Sequence, residues 1–232
     1  MLLANHDGNR VYPVKGLIGN CPFCGGDVIP VCGDRVTHHW RHKTNQECDG
    51  WWEETPWHLG WKRCFPEAWW EKLQYAEDGE KHVADVKMPA GLVLEFQHSP
   101  ISIEERLSRE RFYKGMIWIV DGSRLKRPYT RFARAMPNWK HWRLGQGQAV
   151  EQAELVFPAE WSDRPVPVVF DWGVEGSDLL VWLDPLTSEN RERQCFKLDR
   201  DGFVKMMIKL NLPTPIGTQK KRPIATRPSR RL

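Results

Sequence analysis

His82-Val-Ala-Asp85-Val-Lys-Met88, Pro89-Ala-Gly91 and Leu92-Val-Leu-Glu95-Phe-Gln97 read as a strand, a turn and a second strand. Pro and Gly supply the fixed and left-handed dihedrals that a tight turn needs. Side chains alternate along a strand. Glu95 and Gln97 therefore share one face, and Leu92, Leu94 and Phe96 point to the other. In so short a hairpin Asp85 can sit beside Glu95. Two carboxylates held close raise each other's pKa unless a cation lies between them. Such oxygen ligands suit Mg²⁺ or Mn²⁺, and an ion there polarises a phosphoryl oxygen and activates water. The plain alternative, common on antiparallel hairpins, is two acids facing solvent.

The flanks extend the pattern. Upstream, Trp70–Tyr75 reads as a strand, with a turn at Glu77-Asp78-Gly79-Glu80. Before it, Thr55-Pro56 starts a helix, Thr as N-cap and Pro in the first turn. That helix runs from Trp57 to Phe65 and stops before Pro66. His58 and Lys62 are four apart and share a face. Downstream, Ser102-Ile-Glu-Glu105 is a capping box. It opens a helix that carries Arg109 and Tyr113 on one face, with Gly115 as its stop. Met116–Val120 reads as a fully buried strand. The predicted order is helix, three strands, helix, strand.

The first 50 residues hold Cys21-Pro-Phe-Cys24-Gly-Gly, Cys32, His38-His39-Trp-Arg-His42 and Cys48. Cys-x-x-Cys in a Gly-rich turn places two thiolates on one ion, and a structural zinc takes four Cys or His ligands. The second pair comes from His42, Cys48, His39 or Cys32, with His42 and Cys48 preferred and His39 next. A redox motif would lead into a helix, whereas Gly25-Gly26-Asp27 follows here. Disulfides suit secreted chains, and Met1–Ala4 runs straight into Asn5-His-Asp7 with no apolar signal region. Cys64 and Cys195 stand alone and read as buried thiols.

The whole chain has 232 residues, 41% apolar and 28% charged, which fits a folded protein. Its longest apolar runs are a few residues long, so no membrane span is expected, and the expected location is the cytoplasm. The net charge of +4 divides unevenly: Pro213–Leu232 carries six cations and no acid, so residues 1–212 sum to −2. Lys220, Lys221 and Arg222 in this Pro-punctuated tail form a disordered arm able to meet nucleic-acid phosphates, or a solvated terminus. Four regions follow: 1–50 zinc-binding, 51–125 the helix–strand core, 126–212 an α+β region and 213–232 the tail. In the third region strands are expected at Pro165–Asp171 and Leu179–Leu183, and a helix at Gly202–Leu210. Pro167 confines the first strand to a sheet edge or to a start just after it. Most of the 13 Trp read as packing; Trp40, Trp51 and Trp52 flank the Cys/His cluster and could stack on bases.

Taken together, these residues resemble the competence protein CoiA-like family of the PD-(D/E)XK nuclease superfamily. The resemblance covers about residues 1–125. It is carried by Cys21-Pro-Phe-Cys24-Gly25, His39-Trp-Arg-His42, Trp57-His58-Leu-Gly-Trp61-Lys62, His82-Val-Ala-Asp85-Val86, Glu95-Phe-Gln97-His-Ser99, Arg109-Glu-Arg-Phe-Tyr113 and Met116-Ile-Trp-Ile119. It implies an α/β, restriction-endonuclease-like αβββαβ core behind a small zinc-binding β-rich segment. It also implies hydrolysis of DNA phosphodiester bonds, with single- or double-stranded substrate left open and a bacterial or phage source. Asp85 and Glu95, with Glu71 as a further ligand, would hold Mg²⁺ or Mn²⁺. Gln97 stands where the superfamily has its Lys and is usual in this subfamily. Lys62 or Arg109 would supply the missing charge, and His58 would act as a base or phosphate contact. Arg109 and Tyr113 would touch nucleic acid. The alternative is an accessory factor of DNA uptake, recombination or phage defence that binds nucleic acid with little or no cleavage.

Overall fold

Five short strands pair antiparallel in the first 42 residues: β1 (Ala4–His6), β2 (Asn9–Val11), β3 (Gly19–Asn20), β4 (Asp27–Val31) and β5 (His39–His42), in the sheet order β2-β1-β3-β4-β5. This computed structural model describes residues 1–44, 48, 54–76, 79–174, 178–186 and 193–211. Among the described residues the five-stranded sheet buries Ala4, Cys21, Val28 and Trp40 as its centre, with Met1, Val11, Leu17 and Phe23 partly buried against it. Trp40 is fully buried, and its indole N–H donates to the Val11 carbonyl at 3.0 Å, so it packs and does not offer a stacking face. Trp51, Trp52 and the whole 213–232 tail, with Lys220, Lys221 and Arg222, lie outside the described residues.

Helix α1 (Pro56–Lys62) begins as its sequence predicts: the Thr55 hydroxyl accepts the His58 N–H at 3.2 Å. Strands β6 (Trp70–Tyr75), β7 (Lys81–Lys87) and β8 (Val93–Gln97) follow as an antiparallel meander. The β7–β8 turn is tight, and Gly91 takes φ +95°, the left-handed region that favours glycine. Ser102 caps α2 (Ile103–Phe112) by accepting the Glu105 N–H. The helix stops at Phe112 with Tyr113 extended, not at a left-handed Gly115, because Tyr113 turns into the core. Strand β9 (Met116–Asp121) then pairs parallel with β8.

The remaining elements enlarge the same sheet. They are α3 (Lys126–Ala135), β10 (Gly147–Val150), α4 (Ala153–Val156), α5 (Ala159–Ser162), β11 (Val168–Asp171), β12 (Leu179–Leu183), β13 (Arg193–Asp199) and α6 (Arg200–Asn211). The eight-stranded order is β10-β13-β12-β11-β9-β8-β7-β6. Strand β11 runs parallel to β9 in the sheet interior. It starts at Val168, immediately after Pro167, whose missing N–H would otherwise break the ladder. The division at residue 125 is thus a change of composition and not a break in the sheet.

Alternation in β9 shows how the layers form. Met116, Trp118 and Val120 pack into one cluster with residues of α2, α3, α4 and α5; Ile117 and Ile119 pack into another with Trp61 of α1 and with Phe203 and Met207 of α6. The molecule is a mixed α/β fold, with helices on both faces of the large sheet and a small second sheet at the N-terminus. Trp61, Trp118 and Trp139 are among its largest fully buried side chains, so the tryptophan excess is largely core.

Candidate functional site

The β7–β8 ladder ends at Val86↔Leu94, one residue short of Asp85 and Glu95. The next position is a fork. There Asp85 Oδ2 accepts the Phe96 backbone N–H at 2.9 Å, in place of a ladder bond. Both carboxylates line a cavity of about 60 Å³ with Glu54, His58, Lys62, Glu71, Gln97 and Arg109. A buried water needs roughly 10–15 Å³, so this is room for a few waters or one hydrated ion.

The two helices reach the two acids from opposite layers. From α1, His58 Nε2 lies 2.9 Å from Asp85 Oδ2, and Lys62 Nζ lies 3.5 Å from Asp85 Oδ1. From α2, Arg109 Nη1 lies 3.2 Å from Glu95 Oε2 while its Nε pairs with Glu105 at 2.7 Å. Burial alone would raise the Asp85 pKa, but His58, Lys62 and the Phe96 N–H outweigh it and hold the carboxyl well below its usual range. Glu95 goes the other way: burial, together with the neighbouring Asp85 charge, outweighs Arg109 and pushes it up to about 8. The buried Tyr113 hydroxyl beside this carboxyl opposes the rise without cancelling it. One acid of the pair is therefore held charged and the other neutral, the pattern of two carboxylates sharing too little positive charge.

Glu71, expected as a further metal ligand, lines the same cavity and is already bonded on both oxygens. Its Oε1 accepts the Leu2 N–H at 2.8 Å and meets Lys62 Nζ at 3.1 Å, and its Oε2 accepts the Leu3 N–H at 3.1 Å. It falls where the β6–β7 ladder skips a pair, between Trp70↔Val86 and Lys72↔Ala84, with φ +47°, a left-handed conformation costing on the order of 1–3 kcal/mol for a non-glycine residue. Those bonds hold it there and tie the residues just before β1 to the site. Lys62 is buried among Glu71, Glu54 and Asp85; burial would lower its pKa, yet these three carboxylates raise it above the usual lysine range. Arg109 and Tyr113 were expected to touch nucleic acid. Both are buried against Glu95, so they shape that carboxyl and present no open nucleic-acid surface.

Sequence reasoning missed Glu54, His98 and Asp121. Glu54 Oε2 meets Lys62 at 3.0 Å and its Oε1 lies 3.5 Å from His58 Nδ1. It lies ahead of the N-cap Thr55, outside the helix, so helical spacing carried no signal for it. His98 Nδ1 lies 2.6 Å from the buried Asp121 Oδ2, and His98 lines both the fork cavity and a neighbouring cleft of about 370 Å³.

A second cluster lies beside the first. Ligand atoms of Cys21, Cys24, His42 and Cys48 all fall within 4.8 Å of one another, and Cys24 Sγ is 3.1 Å from His42 Nε2. Three thiols and an imidazole suit a metal such as zinc. His39 is outside it: three residues from His42 on one strand, it faces the other way, and its Nδ1 meets the Thr37 carbonyl. Cys32 is turned to the Pro13 carbonyl. The cluster walls the fork cavity through Cys21, Pro22 and Phe23; Lys81 of β7 sits 4.3 Å over the Phe23 ring and donates to its carbonyl. Among the described residues no helix is long and apolar enough to cross a membrane. No family model, no curated protein and no solved structure matches this chain.

Proposed function

We propose that the chain is a metal-dependent phosphodiesterase acting on DNA, with a PD-(D/E)XK-type core of the CoiA-like kind. The observation that carries this reading is the fork: Asp85 and Glu95 face one small cavity at the point where β7 and β8 part, one held charged and the other pushed toward its neutral form by burial in spite of Arg109. The donor set suits a hard divalent ion, since both acids offer carboxylate oxygens to one cavity. Mg²⁺ or Mn²⁺, when bound, supplies Lewis-acid stabilisation and an acidified water.

The chain's own residues do the rest. Asp85 is kept ionised by His58 and Lys62, so it is ready as a ligand at neutral pH. Glu95 releases its proton as positive charge arrives. Gln97 donates its amide N–H to the Ser99 carbonyl, and its amide oxygen is the acceptor available to orient water. Lys62 provides the positive charge that a neutral amide at 97 lacks. His58, 2.9 Å from Asp85, lines the cavity as an imidazole placed to act as a base or to contact a phosphate.

The test uses labelled single- and double-stranded DNA with Mg²⁺ or with EDTA. Cleavage with Mg²⁺ and none in EDTA, abolished by Asp85→Asn and by Glu95→Gln, is expected. Equal cleavage by both variants removes the assignment. The second reading, a DNA-binding accessory factor without cleavage, is favoured by one observation: Lys62 and Arg109 already pair with the acids, as internal cations would in a site that needs no metal. A shifted, intact band under both conditions selects it.

A further inference from the structure

Between Asp121 and Glu151 the chain holds seven Lys or Arg and no acid. All seven are exposed, and among the described residues none is paired with a carboxylate. Since residues 1–212 sum to −2 in all, the rest of the body is decidedly acidic. The cations are also sorted on α3. At 3.6 residues per turn, Lys126, Arg127, Arg131 and Arg134 fall within an arc of about 140°. Tyr129, Phe132 and Met136 occupy the opposite side and pack into the core.

This arrangement works against the helix that carries it. Lys126 and Arg127 sit in the first turn, where positive charge opposes the macrodipole, and no side chain caps that end. Arg127 and Arg131 are like charges four apart, which destabilises a helix by about 0.2–0.5 kcal/mol. Nothing in the fold recovers that cost at Lys126, Arg127 or Arg134. The face also leads to the fork. Arg124 donates to the His98 carbonyl. The cleft lined by Gln97, His98, Asp121, Arg124 and Leu125 runs from the end of β8 to the start of α3. Because β8, β9 and β11 are parallel, this is the edge of the sheet where their C-terminal ends meet.

We infer that the exposed face of α3, with Arg124, is the track that holds the sugar–phosphate backbone of a nucleic acid and leads it past His98 into the Asp85–Glu95 fork. This rests on the phosphodiesterase reading for its destination, while the binding surface is tested apart from it. Ten residues of helix span about 15 Å, enough for about four phosphates of one strand at 3.4 Å rise.

Binding of fluorescein-labelled 30-mers, single- and double-stranded, is followed by anisotropy on the full chain in EDTA, so that cleavage plays no part. The triple variant K126Q/R127Q/R134Q should bind about tenfold or more weakly near physiological salt. Its log–log salt slope should be shallower by about 2–3. It should melt no lower than the parent, because two of the changes remove cations from the first turn of a helix. Should it fail to fold, Lys126→Gln and Arg134→Gln singly are each expected to flatten the slope by about one. Unchanged affinity and slope would overturn the proposal. So would a loss seen only on neutralising Lys220, Lys221 and Arg222, or binding to phosphatidylglycerol vesicles with none to DNA. If the surface variants lose DNA while no metal supports cleavage by the parent, the track stands and the phosphodiesterase reading falls.

Discussion

At the scale of single residues the site turns on how four acids share few cations. Glu95, pushed up to about 8 by burial, with Asp85 adding and Arg109, Tyr113 and His82 opposing, is neutral at pH 7 without a further cation. Its folded pKa is raised, so the stability it contributes is full below the unfolded value near 4.5 and is lost as pH rises toward 8. The melting temperature of protein freed of Mg²⁺ should therefore fall between pH 5 and 8, Mg²⁺ should restore it at pH 8, and Glu95→Gln should flatten the profile. Mg²⁺ titration by calorimetry in two buffers of different ionisation heat should show proton release at pH 7; no proton release and a flat profile in the parent count against the shared-proton picture. Lys62 carries the complementary prediction. Lys62→Met leaves Glu54, Glu71 and Asp85 without their common partner, and breaking such a buried set costs about 3–5 kcal/mol. Urea unfolding at pH 7 measures it, and the deficit should shrink toward pH 4 as the freed carboxyls protonate.

At the scale of elements, helix α1 carries His58 and Lys62 to the cavity in seven residues, a length at which capping matters. Thr55→Ala should cost about 1 kcal/mol of stability, and it should lower cleavage more than stability alone explains, because the same turn sets His58 against Asp85. Equal losses in both would mean that the cap holds only the fold. These elements were legible because their signals are local: Thr-Pro before α1, the capping box before α2, and Glu95 and Gln97 at alternate positions opposite Leu94 and Phe96 in β8. The acids facing each other across the β7–β8 fork were legible by the same alternation. Glu54 was not, because it lies outside the helix whose spacing reveals His58 and Lys62. Strands β10 and β13 were not legible either. Gly147–Val150 is short and exposed on three of its four residues, so its pairing is set by its partner strand and not by its own pattern. The basic face of α3 was written in the sequence as an acid-free run, but the whole-chain charge hid it beneath an acidic remainder.

At the scale of the molecule, the two sheets are coupled through the fork. Glu71 of the large sheet binds the backbone at Leu2 and Leu3, and the Cys21–Cys24 turn closes one wall of the cavity. The small sheet has too little apolar centre to stand without help, with four buried residues in it. Small units of this kind depend on metals or cross-links, and metal affinity there is folding energy. A bound zinc at Cys21, Cys24, His42 and Cys48 would thus set the shape of the proposed Asp85–Glu95 site without touching it. Metal analysis should find about one zinc per chain, and Cys24→Ser or a zinc-selective chelator should remove it. Hydrogen exchange should then lose protection across residues 1–44 while β8, β9 and β11 keep theirs, since their core lies in the large sheet. Mg²⁺-dependent cleavage should fall with the exchange protection and return when zinc is restored. Zinc loss that leaves both the small sheet's protection and the cleavage rate intact would sever the two sheets functionally and reduce the Cys/His cluster to an ornament of the fold's edge.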